Sequence, residues 1–203
     1  MDLYSHRHFT IDDIDAVDIA RAQEYALLAT VLGRAPDADL LRRLAELCGD
    51  PSPLGVAHAA LAEAARCATR EGVEREHFDL FIGLGRGELL PYGSYYLTGF
   101  LHERPLARLR YDLARLGIER APGRAEPEDH AAILCEIMAG LVGGRLLAPR
   151  GADRALFEAY LAPWMEKFFA DLELAKTAEF YRSIGALGRV FMAIEAKAFA
   201  MSS

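Results

Sequence analysis

The sequence has no run of lysine or arginine, no CxxC pair, no unbroken apolar stretch of membrane length and no alternating run that reads as a strand. Each absence removes a class of protein. With a formal net charge of −7 and no concentrated basic surface, nucleic acid is not expected as a partner, because phosphate binding draws on clustered cations. The surplus of acid suits a cationic peptide, and it also serves solubility. A membrane span needs about 20 apolar residues. The longest apolar stretches, Tyr25–Thr30 and Ile133–Gly144, are short or broken by Glu136, so no integral membrane segment is expected. The first 20 residues are acidic where an export signal is basic, which predicts a cytoplasmic protein. Cys48, Cys67 and Cys135 are odd in number and lack metal-site spacing. Each falls within an apolar-periodic segment, which predicts reduced, buried thiols with neither disulfide nor zinc.

What is present is helical periodicity. The 203 residues are 52% hydrophobic and 26% charged, the composition of one ordinary globular core. Ile19, Ala22, Ala26, Leu27 and Val31 recur at three- and four-residue steps up to Gly33, and Leu40 to Cys48 form a second such run. Pro53 to Arg70 is rich in alanine, and Gly72 separates it from a helix through Val73, His77 and Phe81. Leu106, Leu109, Leu113 and Leu116 mark a surface helix, and Ile133 to Val142 an apolar one ending at Gly143. In the last third Pro163 breaks the chain near Leu161 and starts a further helix. No fixed repeat and no hairpin dipeptide interrupts this pattern. The expected fold is all-α, a single-domain bundle of about nine to ten helices over residues 18–203, with residues 1–17 as a flexible N-terminal segment.

One stretch departs from the pattern. Glu88 to Arg110 places Pro91, Gly93, Ser94 and the rings Tyr92, Tyr95, Tyr96 and Phe100 between helices. Pro91 disfavours helix at Leu90, and Ser94 can cap a short helix that follows. The rings either plug the bundle or line a groove, with an apolar body and a polar tip. Just upstream, Gly83, Gly85 and Gly87 resemble a phosphate cradle only superficially, since they follow a helix and no strand precedes them. They read as a helix stop and connector. A second stretch, Glu126, Pro127, Glu128, Asp129 and His130, opens the helix of Ile133. Proline and carboxylates suit a helix N-terminus for structural reasons alone. The functional reading places His130 one turn in, on the face of Ile133 and Leu134, where three acids and a histidine could recognise a guanidinium. Ser94 has no nucleophile elbow. Trp164 reads first as a core anchor.

Together these segments resemble the TorD/DmsD/NarJ family of redox-enzyme maturation chaperones. The resemblance is carried by Phe78, Leu80, Phe81 and Gly83, then Pro91, Ser94 and Tyr96, then Glu126, Pro127, Asp129 and His130, and last Pro163-Trp164 and Phe180-Tyr181. It covers about Val73 to Phe199. It implies a client-specific chaperone without catalytic chemistry or a cofactor of its own. It also implies binding to the immature catalytic subunit of a molybdopterin-containing oxidoreductase, often through its twin-arginine leader, until the cofactor is inserted. Pro91, Tyr92, Ser94, Tyr95, Tyr96 and Glu126 to His130 are then the client-binding residues. Gly93 stands where many members carry an acid, which shifts the expected arginine reader to the Glu126–His130 run. The chaperone is expected as a monomer or a domain-swapped dimer, with Ala121 to Glu126 as a candidate hinge. Two other readings stay open: a helical metal-dependent hydrolase using His77, Asp79, Asp129 and His130, and a regulatory scaffolding bundle that binds a folded protein through the tyrosine-rich loop.

Overall fold

The computed structural model describes residues 15–120 and 126–201, and within them the chain forms ten α-helices and no strand. These are α1 (Ala16–Gly33), α2 (Ala38–Ala45), α3 (Pro53–Cys67), α4 (Arg70–His77), α5 (Gly93–Thr98), α6 (Arg104–Arg115), α7 (Ala131–Val142), α8 (Ala152–Leu156), α9 (Met165–Leu174) and α10 (Phe180–Met201). Two single π-turns, Phe78–Ile82 and Phe157–Leu161, extend α4 and α8. Most of the N-terminal segment expected to be flexible, residues 1–14, and most of the candidate hinge, residues 121–125, lie outside the described residues. None of the helices is long and apolar enough to cross a membrane.

Helix starts follow from capping chemistry. The side chains of Asp15, Asp37, Ser52 and Thr69 each accept a hydrogen bond from the backbone N–H three residues on, which satisfies a donor that an α-helix leaves free in its first turn. Thr69 corrects the expected boundary. Gly72 lies inside α4, and the chain breaks at Ala68–Thr69, because a threonine cap specifies a start more strongly than one glycine specifies a stop. In the last third the break falls where Pro163 placed it, although α9 itself begins at Met165.

Helix α7 is the centre of the bundle, with nine of its twelve residues buried. It lies antiparallel to α1, so that Gly33 meets Ala132 at one end and Gly143 meets Ala22 at the other. Helix α10 packs on α9 and α3. Its backbone approaches α9 closely: a Cβ added at Gly185 would sit 2.5 Å from the Glu173 nitrogen. Replacing an interior helical glycine by alanine ordinarily stabilises by roughly 0.5–1 kcal/mol. Here the clash is with backbone, so Gly185→Ala should instead destabilise by about 1–3 kcal/mol, as overpacked cores do. Denaturant midpoints of the two proteins check this, and a gain in stability would contradict the close packing.

The cysteines correct one expectation. Cys135 is buried in α7, but Cys48 and Cys67 are exposed. Helix α2 ends at Ala45, three residues before Cys48. In α3 the inward stripe runs through Ala57, Leu61 and Ala65, and Cys67 falls off it.

Candidate functional site

Two segments far apart in sequence are bonded to each other at the start of α7. Tyr92 and His130 form an isolated antiparallel bridge. The Gly93 N–H donates to the Asp129 carbonyl at 2.9 Å, and the Ala131 N–H donates to the Pro91 carbonyl at 2.8 Å. Side chains reinforce this clip. Asp129 Oδ2 accepts from the Ser94 N–H at 2.7 Å, in the first turn of α5, and Glu126 Oε2 accepts from the Tyr92 hydroxyl at 2.5 Å. His130 is the N-cap of α7, its Nδ1 accepting the Ala132 N–H at 3.0 Å. The neutral ring therefore carries its proton on Nε2.

The structure thus brings together most of the residues singled out in sequence, and it sorts them by depth. Pro91, Ser94, Asp129 and His130 are buried. Burial pushes the His130 imidazole down to about 4, and the neighbouring Glu126 and Asp129 carboxylates only partly oppose that. Ser94 Oγ and Asp129 Oδ1 are buried without a partner among the described residues. Tyr92, Tyr95, Tyr96, Pro127 and Glu128 are half-buried, and Glu126 is exposed. Glu128 pairs with Arg110 of α6 at 2.7 Å. His130 therefore does not present a titrating edge one turn into the helix; it closes the helix start.

The rings also divide. Tyr96 packs against Trp164 and Phe168, with centroids 5.4 and 5.9 Å away, and its hydroxyl donates to Asp171. Tyr95 receives Arg86 of the glycine-rich loop, which stacks on its ring and donates to its hydroxyl at 2.7 Å. Phe100 is exposed beyond the end of α5. At Gly93 a Cβ would lie 3.0 Å from Trp164 Nε1, so the indole occupies the space that a side chain at this position would need. The glycine-rich loop has local reasons for its composition. Gly83 has φ +63°, and a Cβ there would meet the Arg86 carbonyl at 2.1 Å.

Sequence reasoning missed the groove beside the clip. Between α6 and α7 lies a depression of about 600 Å³. Leu113, Ile118, Ile133, Ile137 and Leu146 form its apolar floor, and Glu128 stands on its rim. The Leu146 N–H donates to the Gly140 carbonyl, folding the chain after α7 back so that Leu146 makes one wall. A Cβ on Gly140 would meet the Leu146 side chain at 2.7 Å. One signal was available. The run Ile133–Val142 is apolar almost all round, more than one inward face requires, and in the folded chain Ile133 is only half-buried at the groove.

Sequence reasoning also missed two carboxylates that hold the frame behind the loop. Glu76 of α4 accepts from the N–H groups of Glu179, Phe180 and Tyr181 at the start of α10. Glu88 accepts from the N–H groups of Lys176 and Thr177 and from the Thr177 hydroxyl. A carboxylate at Glu76 is favoured by the unpaired donors of a helix start, and Glu88 pins the connector that precedes it.

Of the residues proposed for a hydrolase, His77 is half-buried between Phe81 and Tyr181, and Asp79 is exposed. Among the described residues no three histidine, cysteine or acidic side chains are placed to hold a metal ion. Residues 49–170, more than half of the chain, match the family model described as nitrate reductase delta subunit. The chain belongs to this family, that of the TorD- and NarJ-like redox-enzyme maturation chaperones, which are not enzymes. It is 30% identical over 86 residues to a chaperone protein TorD from Aliivibrio fischeri. The match spans 41% of this chain and 39% of that relative, so the chain covers about two fifths of the relative's length. The crystal structure of a protein from Archaeoglobus fulgidus described as a redox enzyme maturation protein superposes with a TM-score of 0.57. It has 19% sequence identity, and 95% of this chain and 98% of that one are covered, a likeness of fold.

Proposed function

We propose that the protein is a cytoplasmic, client-specific chaperone. It binds the catalytic subunit of a molybdopterin-dependent oxidoreductase, or its twin-arginine leader, and assists cofactor insertion before export or assembly. The observation that carries this reading is the bonded clip of residues 91–94 and 126–131 on the rim of an apolar groove. Rigid walls of this kind lower the ordering cost of capturing an extended or helical segment. Exposed Glu126 and half-buried Tyr92 are the parts of the clip that a client can touch. Asp129, Ser94 and His130 act from behind, holding the clip in shape.

The test is a tagged pull-down from the native host grown under conditions that induce respiratory molybdoenzymes, followed by mass spectrometry. Enrichment of one molybdoenzyme catalytic subunit, lost when its leader is deleted or when it is already mature, is the expected result. Recovery of folded regulatory partners alone, under every such condition, would overturn the proposal in favour of a scaffold.

A further inference from the structure

Helix α6 carries its charge differently from several of its neighbours. In α2, α4 and α9 an exposed cation pairs with an acid of its own helix: Arg42 with Asp39, Arg70 with Glu74 and Lys167 with Asp171. In α6, Arg104, Arg108 and Arg115 are exposed and have no ion-pair partner among the described residues.

Spacing gathers these arginines on one line. Arg104, Arg108, Tyr111 and Arg115 follow one another at steps of four, three and four residues, so they share a face of the helix over about 16 Å. Leu106, Leu109 and Leu113 are buried on the opposite side, which turns the line to solvent. Tyr111 is 65% exposed, and the Arg115 guanidinium lies over its ring at 5.9 Å from the centroid. The acids closest in sequence leave a positive excess. Glu103 stands ahead of the line at the N-cap, and Glu128 is taken by Arg110 on the flank. Asp112 is three residues before Arg115 and four after Arg108, where helical ion pairs form, but it accepts the Tyr160 hydroxyl, which Arg108 adjoins. None of the four residues on the line lines the groove between α6 and α7.

The residue types select the partner. Arginine and tyrosine are enriched at the energetic centres of protein interfaces, and the planar guanidinium fits a carboxylate through two parallel hydrogen bonds. Nucleic acid would meet a molecule of net charge −7 through a patch three arginines long, whereas phosphate binding draws on a wider basic surface. A membrane-surface helix turns its apolar side to the lipid, and the apolar side of α6 is buried. A run of carboxylates of matching length on a protein fits.

We infer that the outward face of α6, from Arg104 to Arg115, docks an acidic helical segment of a partner protein, whose carboxylates pair with the three arginines. The surface is separate from the groove and does not depend on the leader-binding reading.

The probe is an alanine-rich helical peptide with glutamates at steps of four, three and four residues, titrated by calorimetry at an ionic strength of about 0.15 M, where distant charges are screened. A peptide with glutamine at those positions is its control. The wild-type protein should bind the first and not the second. Arg104→Gln with Arg108→Gln and Arg115→Gln should weaken the first about tenfold, the sum expected of three exposed ion pairs. A matched variant, Arg43→Gln with Arg75→Gln and Lys197→Gln on α2, α4 and α10, carries the same net charge and should bind as wild type. All six positions are exposed, and circular dichroism and melting confirm that both variants are folded. Equal weakening in the two variants would reduce the effect to net charge and overturn the docking surface, as would no binding of the glutamate peptide by the wild type. A single-stranded oligonucleotide and phosphatidylserine vesicles are titrated in parallel. Tighter binding of either, lost with the same three arginines, would overturn the acidic-protein assignment in favour of that partner.

Discussion

Replacing Glu195 by alanine should lower the stability of the protein by about 3–5 kcal/mol, the cost of leaving one member of a buried ion pair alone. Glu195 lies in α10 and is 1% exposed. It receives Arg21 of α1 in a bidentate pair, Nε to Oε1 and Nη2 to Oε2, both at 2.8 Å, and the Tyr25 hydroxyl at 2.9 Å. Burial would lower the Arg21 guanidinium, but its bonds to Glu195 and Asp18 hold it above its ordinary value. Without Glu195 the guanidinium keeps Asp18 at 2.7 Å and a distant Asp153 at 3.6 Å, and the Tyr25 hydroxyl keeps nothing. For a chain of this size the loss corresponds to a fall in melting temperature of roughly 10 °C. The double variant Arg21→Met with Glu195→Leu should recover part of it, because an apolar pair of similar volume removes both desolvation costs while the buried Tyr25 hydroxyl stays without its acceptor. Urea unfolding of the two variants checks both statements. A single variant within about 1 kcal/mol of wild type would mean that the pair is solvated in solution.

The second large effect is in the dependence of stability on pH. The folded His130 has a value near 4, set first by burial, against roughly 6.5 for an unfolded histidine. Below pH 6.5 the unfolded chain takes up a proton that the folded one refuses until about pH 4. The contribution of this group is therefore complete above 6.5 and is lost as pH falls through that window. The difference amounts to about 3 kcal/mol at most. His77, lowered by burial, acts in the same direction. His58, raised by its bond to Glu24, acts oppositely: its contribution is present below about 6.5 and lost as pH rises through its folded value.

His130→Asn isolates the contribution of His130. Asparagine is among the best N-caps, so it can accept the Ala132 N–H, and it does not titrate. Loss of the ring contact with Tyr92, 5.1 Å between centroids, adds a constant penalty independent of pH. The expected result is a stability curve offset downward at pH 8 and markedly flatter between pH 6.5 and 4. An unchanged slope would place the acid sensitivity elsewhere, with His77 the next residue to replace.

The helical class was legible because its signal is local. Three- and four-residue spacing of apolar side chains, glycine and proline stops and capping residues are all properties of neighbours in sequence, and they located the helices up to Val142 to within a few residues, while the break between α9 and α10 was not read. The same locality explains the errors. Cys67 lies on a helix whose inward face is set by what packs against it, and Gly72 is tolerated inside α4 because Thr69 defines the start. Glu195, Glu76 and Glu88 look in sequence like ordinary surface acids. Their partners are more than 80 residues away, so nothing nearby could mark them as anchors between distant segments.

The site shows the same division. The order of Pro91, Ser94, Glu126, Asp129 and His130 along the chain is enough to point to a family of chaperones and to two segments worth watching. Residue types alone left each carboxylate free to be a cap, a ligand or a reader of arginine. Tertiary structure decided among these by pairing the two segments through backbone hydrogen bonds, which turned Asp129 and His130 inward as caps and left Glu126 outside. It also opened the groove, whose floor comes from α6, α7 and the returning Leu146. Helical character is written into each short stretch because backbone hydrogen bonds and side-chain periodicity repeat within a few residues. A groove exists only where separate helices fail to close on one another, and only the packed chain determines that.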